Sequence, residues 1–296
     1  MAEPVFAPCV VIPVYNHENA IGAVVGAIRE QGLPMVLVDD GSSPACADVL
    51  QGLSAAPDVT LVRHEINRGK GAAVVTGLRT ASKRGYTHVV QIDADGQHTV
   101  SDVTRFVEEA RQYPDVVICG RPVFDSSIPR SRYYGRYLTH SLVWLETLSF
   151  ELIDTMCGFR VYPLAATLAL LDSSGVGSRM DFDTEVLVRL HWRGVRTRWL
   201  ATQVRYPLDG VSHYRMLRDN ARMTLLHISL MLGMLVRLHW RGVRTRWLAT
   251  RVHYPLDGVS HYRMFRDNAR MTLLHISLLL GMLVRLPLLL WRKAHA

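Results

Sequence analysis

Cysteine is scarce in this 296-residue chain, and Cys9, Cys46, Cys119 and Cys157 form no C-x-x-C pair. That argues against a zinc site or a disulfide framework and suits a reducing compartment. Long apolar runs are also missing. The longest charge-free apolar runs near the end, Ile228–Val236 and Ile276–Val284, bounded by His227 and Arg237 and by His275 and Arg285, hold nine residues each, against the roughly 20 that a spanning helix needs. The opening residues lack a basic stretch followed by a long apolar one, so no signal peptide is read. No G-x-x-x-x-G-K-[ST] loop occurs, and the first strand does not lead into G-x-G-x-x-G, which disfavours a P-loop and a dinucleotide-binding protein. Acidic residues are rare at one end: residues 188–296 hold 19 Lys and Arg against 4 Asp and Glu, while the remainder is net acidic. A basic half suits nucleic acid or an anionic membrane surface. The interleaved Leu, Met, Trp and Tyr favour the membrane, so no nucleic-acid partner is expected.

What the chain has is alternation. Short β-branched runs at Cys9–Val14, Met35–Asp39, Val59–His64, His88–Ile92 and Val116–Cys119 alternate with helical stretches near 18–31, 44–55, 69–84 and 100–112. This predicts an α/β fold with a mostly parallel sheet flanked by helices. Residues 130–138 are rich in Arg and Tyr, and a helical, apolar stretch follows to about Phe150. Residues 183–193 read as a helix ended by Gly194, and 195–207 as one or two strands ended by Pro207. Residues 187–234 then recur as 235–282 with four differences, at 203/251, 205/253, 217/265 and 231/279. Two copies are too few for a solenoid. Copy one continues the helix begun near Asp183 and is expected to dock; copy two is expected to form an appended lobe. The expected organisation is a catalytic domain over 1–222 and a helical, basic tail over 223–296, built on the tandem duplication.

In such sheets ligands bind at the carboxyl ends of strands, where four clusters fall: PVYN (13–16), DDGS (39–42), NRGKG (67–71) and DADGQH (93–98). Asp93 and Asp95, one residue apart, point to one face if the strand continues. They repel unless a proton or cation lies between them. A hard divalent ion, Mg²⁺ or Mn²⁺, bridging to a phosphate is the natural guest; the alternative is a solvated acidic turn. The NRGKG loop sets glycines and Lys70 at a helix start, which suits a diphosphate. In MDFDTE, one of Asp181, Asp183 and Glu185 could be a base or orient an acceptor hydroxyl, or all three could simply favour a helix N-terminus. DGVSHYR (209–215) places His213 and Arg215 after a turn, where His213 could bind phosphate or metal or be structural; the segment recurs as 257–263.

In combination these motifs resemble family 2 glycosyltransferases of the GT-A fold, closest to the dolichyl- or polyprenyl-phosphate sugar transferase branch, over roughly residues 8–215. VVIPVYN resembles the strand and turn that contact the nucleoside, placing Pro13, Tyr15, Asn16 and Glu18 there; His17 stands where Glu often follows YN. VLVDDGS puts Asp40 in the base-binding role. NRGKGAA matches the N-x-G-K-G-x-A loop, with Gly69 and Lys70 on the nucleotide-sugar. QIDADGQH matches the D-x-D segment, making Asp93, Asp95 and Gln97 the metal and diphosphate contacts. CGFRVY resembles the acceptor segment, giving Gly158, Phe159 and Arg160, joined by Arg121, His213 and Arg215. Asp95, Asp181, Asp183 and Glu185 are the catalytic candidates. The resemblance implies inverting, metal-dependent transfer from a nucleotide-diphosphate sugar to a lipid-linked phosphate or other membrane-associated acceptor, by a cytoplasmic protein peripheral at the cytoplasmic face of a membrane. The residues leave open a nucleotidyltransferase, disfavoured by VYNHEN after strand one, and a non-catalytic nucleotide-sugar-binding protein at a membrane surface.

Overall fold

The computed structural model describes residues 5–124, 130–204 and 216–240. All described elements belong to the first of two units, Met1–Val243 and Arg244–Ala296. The first part of the chain alternates as read: β1 (Pro8–Val14), α1 (Glu18–Arg29), β2 (Met35–Asp39), α2 (Pro44–Leu53), β3 (Val59–Arg63), α3 (Lys70–Lys83), β4 (His88–Gln91) and α4 (Asp102–Gln112). Then come β5 (Val117–Phe124), α5 (Arg130–Thr147), β6 (Arg160–Pro163), α6 (Leu164–Ser173), α7 (Phe182–Trp192), β7 (Thr197–Val204) and α8 (Met216–Trp240).

The seven strands form one sheet in the order β3-β2-β1-β4-β6-β5-β7. Every pairing is parallel except those of β6, which runs antiparallel between β4 and β5. Strand pleating divides the side chains between two layers. Val10, Ile12 and Val14 face α1 and α4, packing with Ile21, Val25 and Phe106. Cys9, Val11 and Val89 face the other layer, with Val74 and Leu78 of α3 and Phe182 and Leu187 of α7. Each such large aliphatic side chain contributes on the order of 1.5–3 kcal/mol by burial. Ser43 caps α2 ahead of Pro44, accepting from the Cys46 amide at 3.4 Å, because a helix start leaves amides without partners.

β6 was not foreseen as a strand. Its antiparallel course sets Arg160 opposite Gln91, so the residues just before it, Gly158 and Phe159, arrive at the same sheet end as the tip of β4.

Copy one supplies most of α7, all of β7 and most of α8. Leu187, Val188 and Leu190 are fully buried, whereas Val236, the counterpart of Val188, is 53% exposed near the end of α8. α8 runs through the expected boundary at 222/223. It seats on α5 through Leu226 and Leu230 and through His227 Nδ1, 2.7 Å from the buried Glu146 Oε1. Among the described residues no helix is long and apolar enough to cross a membrane. Copy two beyond residue 240, including 257–263, lies outside the described residues.

Candidate active site

Three loops at the carboxyl ends of β1, β2 and β3 are tied together by short polar side chains. Asn16 takes a left-handed backbone (φ 55°); its amide donates to Ser42 Oγ at 3.1 Å, and its Oδ1 accepts from the Ser43 amide at 2.8 Å. Asp40 is buried. Its Oδ1 lies 2.8 Å from His64 Nδ1 and accepts from the Arg68 amide at 2.9 Å, and its Oδ2 accepts from the Gly69 amide at 2.7 Å. Asp40 therefore fixes the NRGKG loop at the start of α3. Gly69 is required there: φ is 104°, and a Cβ would come within 2.5 Å of Ser178 O.

At the tip of β4 the carboxylates gather. Lys70 Nζ lies 2.8 Å from Asp93 Oδ1, 3.0 Å from Asp93 Oδ2 and 2.9 Å from Asp183 Oδ2. Asp183 reaches this point from the first turn of α7, and its Oδ1 accepts from Gln91 Nε2 at 3.1 Å. Asp95 Oδ1 accepts from the Gln97 amide at 3.0 Å, folding DADGQH into a tight turn. His98 Nε2 sits 3.9 Å from Asp93 Oδ2, its ring against Phe159 at 5.6 Å between centroids. Gly158 floors the cluster: a Cβ would come within 2.8 Å of Lys70 Nζ and 3.0 Å of Asp93 Oδ2.

The ionisation pattern follows from these positions. Burial opposes the charge on Asp93, but the Lys70 and His98 charges and the Lys70 hydrogen bond outweigh it and hold the carboxyl below its ordinary range. Burial and the neighbouring Asp93 charge push Asp95 up. Burial lowers His98 against the pull of both carboxylates. Burial disfavours the Lys70 ammonium too, yet Asp183 and Asp93 keep it protonated far into the alkaline range.

Such a site fits a divalent cation. Asp95 carries a charge that its surroundings disfavour, and the buried Asp93 Oδ1 has the Lys70 ammonium at 2.8 Å as its described partner. Both are oxygen donors of the hard type that Mg²⁺ and Mn²⁺ take. Among the described residues no cluster of three or more His, Cys, Asp or Glu is arranged to hold a metal. The remaining ligands would have to be Gln97, water and substrate oxygens.

The other expected site residues divide. Pro13, Tyr15, Asn16 and Glu18 stand together at the end of β1, partly buried, with Glu18 Oε2 buried and without a hydrogen-bond partner. Of the three candidate bases only Asp183 enters the cluster. Glu185 Oε2 accepts from the Gly177 amide and its Oε1 from Arg189 Nε, both at 2.7 Å. Asp181 Oδ1 accepts from the Arg179 amide at 3.1 Å. These two carboxylates fasten the 174–181 segment, whose Ser178 O accepts from the Ala72 amide and whose Arg179 Nη1 donates to Asn67 Oδ1, each at 2.9 Å. Phe159 and Arg160 have no exposed surface. Phe159 stacks on Phe106 at 4.2 Å, and Arg160 donates to the carbonyls of Asp183 and Thr155 at 2.6 and 2.7 Å. Both brace the cluster and are not placed to touch an acceptor. Arg121 is exposed on β5, and no described hydrogen bond or ion pair joins it to the cluster. His213 and Arg215 lie outside the described residues.

Sequence reasoning missed His64, His98 and Arg179. His98 was legible, because it closes the DADGQH turn. His64 and Arg179 act across long separations that no local spacing signals. A separate cavity of about 310 Å³ is lined by Asp39, Ala47, Gln51, Ser54, Val59, Leu61 and Arg63, none of them from the carboxylate cluster.

Comparison with known proteins agrees with this geometry. Residues 9–172 match the family model for glycosyl transferase family 2. An undecaprenyl-phosphate mannosyltransferase of Micrococcus luteus is 30% identical over 58% of this chain and 74% of its own length. A polyprenol monophosphomannose synthase of Mycolicibacterium smegmatis is 25% identical over 66% of this chain and 74% of its own. Among solved structures, glucosyl-3-phosphoglycerate synthase of Mycobacterium tuberculosis superposes with a TM-score of 0.58 at 15% identity, covering 78% of this chain and 80% of that one. The same enzyme with Mn²⁺, UDP and glucosyl-3-phosphoglycerate gives a TM-score of 0.54 at 16% identity, with the same coverage. These matches decide between the readings that the residues alone left open: the chain belongs to glycosyl transferase family 2, on the branch of its polyprenyl-phosphate sugar transferase relatives, and is a glycosyltransferase of the GT-A fold.

Proposed function

We propose that the protein moves a sugar from a nucleotide-diphosphate sugar to a lipid-linked phosphate, with inversion at the anomeric carbon and with Mg²⁺ or Mn²⁺ on the donor diphosphate. One observation carries the choice of acceptor: each of the three candidate bases is already engaged by donors of the protein itself. Asp183 is held by Lys70 and Gln91, Asp181 by the Arg179 amide, and Glu185 by the Gly177 amide and Arg189. A hydroxyl acceptor needs a base to take its proton. A phosphate monoester is already anionic at neutral pH, with a second pKa of about 6, and attacks unaided. The names of the Micrococcus and Mycolicibacterium relatives support the same class of acceptor.

Asp93, Asp95 and Gln97 would hold the cation, which when bound offsets the charge growing on the departing nucleoside diphosphate. Pro13, Tyr15, Asn16 and Glu18 form one wall of the nucleoside site. Asp40, through the loop it fixes, forms the other. Gly69 and Lys70 place a helix start and a cation beside the diphosphate. Gly158 keeps the floor open. Arg121, His213 and Arg215 remain the acceptor-phosphate candidates. The outer face of α8 exposes Leu225, Ile228, Leu232 and Val236 in one stripe on a basic part of the chain, which suits a peripheral position on the cytoplasmic face of a membrane, where a lipid acceptor lies.

The test is a transfer assay with UDP-, GDP- and dTDP-sugars against a polyprenyl phosphate and the corresponding polyprenol in micelles. Transfer to the phosphate alone is expected. Equal transfer to the alcohol, or to neither, would overturn the reading.

A further inference from the structure

Lysine is rare in this chain. Of 34 cationic residues only Lys70, Lys83 and Lys293 are lysines. One of the three stands at the centre of the carboxylate cluster, where its ammonium makes three short contacts with Asp93 and Asp183 and its side chain is 18% exposed. It is also the first residue of α3, where the helix dipole disfavours a cation. Helix stability therefore gives no reason for a positive charge there. A lysine differs from an arginine in carrying a compact point charge on a flexible stem, able to leave one carboxylate for another anion without breaking a planar fork.

Building on the proposed function, we infer that Lys70 is a place-holder for the divalent cation: its ammonium fills the Asp93–Asp183 cradle in the free protein and yields Asp93 when a nucleoside diphosphate arrives. Both Asp93 oxygens face Nζ. A dication on Asp93 would share that carboxylate with an ammonium in a site where solvent screens little, so the two cations compete. A diphosphate supplies the ammonium with another anionic partner next to the same helix start. Cation and nucleotide then favour each other's binding, and the coupling is reciprocal. Gly158 fits this account. A Cβ there would press on Nζ and Asp93 together, closing the space through which the ammonium moves.

The test reads metal binding without turnover. Mn²⁺ is titrated into wild type and Lys70→Gln, with and without UDP or GDP, and free Mn²⁺ is followed by electron paramagnetic resonance. In wild type, nucleotide should tighten Mn²⁺ binding by about tenfold or more; without nucleotide, Lys70→Gln should bind Mn²⁺ about tenfold tighter than wild type and gain less from nucleotide. Lys70→Gln binding Mn²⁺ no tighter than wild type would overturn the place-holder while leaving the proposed function intact. Wild type binding no Mn²⁺ even with nucleotide would remove the metal-dependent reading, and the place-holder with it. A measurement on unmutated protein guards against a variant that fails to fold. With ¹⁵N-lysine labelling, the Lys70 Nζ resonance should shift when Mg²⁺ and nucleotide are added together, while that of Lys83, exposed at the end of α3, stays in place. A stationary Lys70 signal would contradict the proposal.

Discussion

Lys70 Nζ lies 2.9 Å from Asp183 Oδ2, joining the first residue of α3 to the first turn of α7 across the tip of β4. The pair is mostly buried, but Lys70 keeps both oxygens of Asp93 when Asp183 is neutralised. Asp183→Asn should lower stability by about 1.5 kcal/mol, read by urea unfolding. The double variant with Lys70→Gln should lose less than the sum of the single losses, with a coupling of at least about 1 kcal/mol. Strict additivity would show that the contact carries no energy.

Glu185 reads as a catalytic base in the sequence and as a fastener in the structure. Glu185→Gln keeps an oxygen for the Gly177 amide but loses the ion pair with Arg189. It should destabilise by about 1 kcal/mol and leave kcat within about threefold of wild type, where loss of a true base removes about a hundredfold or more. Steady-state kinetics on the variant distinguishes the two roles.

The sheet and its first four strand–helix units were legible because each strand is a short β-branched run, and α2 and α3 begin at a serine cap and a glycine loop. The convergence of PVYN, DDGS, NRGKG and DADGQH was legible for the same reason, since parallel strands bring their carboxyl ends together. β6 was not. Four residues, Arg160–Pro163, show no alternation of their own, and only pairing with β4 and β5 makes them a strand. That strand's direction brings Gly158 beneath Lys70 and buries Arg160, so the acceptor roles read from C-G-F-R gave way to bracing roles for Phe159 and Arg160. The MDFDTE carboxylates were ambiguous because helix position alone does not say which of them faces the sheet. Asp183 does, next to Gln91, while Asp181 and Glu185 turn to the 174–181 segment.

A second buried pair sets acid sensitivity. Arg136 binds both oxygens of Asp154 at 2.8–3.0 Å, and His140 Nε2 lies 3.6 Å away. Burial opposes the charge on Asp154, but His140 and Arg136 outweigh it and hold the carboxyl at about 2. A depressed carboxyl stabilises the fold above its unfolded pKa, and this contribution is lost as pH falls through the folded value. About 2 kcal/mol should therefore disappear between roughly pH 4 and 2. Urea unfolding across this window should show a shallower decline for Asp154→Asn than for wild type.

The exposed stripe on α8 gives a membrane prediction. Ile228→Glu with Leu232→Glu alters side chains that are 51% and 49% exposed, so stability should change by no more than about 0.5 kcal/mol per site. Cosedimentation with anionic vesicles should fall by about tenfold. Unchanged vesicle binding would place the contact elsewhere.

The central claim is that Asp93 and Asp95 hold a divalent cation against the donor diphosphate, and Asp95→Asn tests it most directly. Burial and Asp93 raise the Asp95 pKa, so its ionised form contributes nothing to the stability of the metal-free fold at neutral pH, and the variant should unfold at no lower urea concentration than wild type. Its Mn²⁺-dependent sugar transfer should fall by about a thousandfold. Wild-type turnover by a well-folded Asp95→Asn protein would contradict the account.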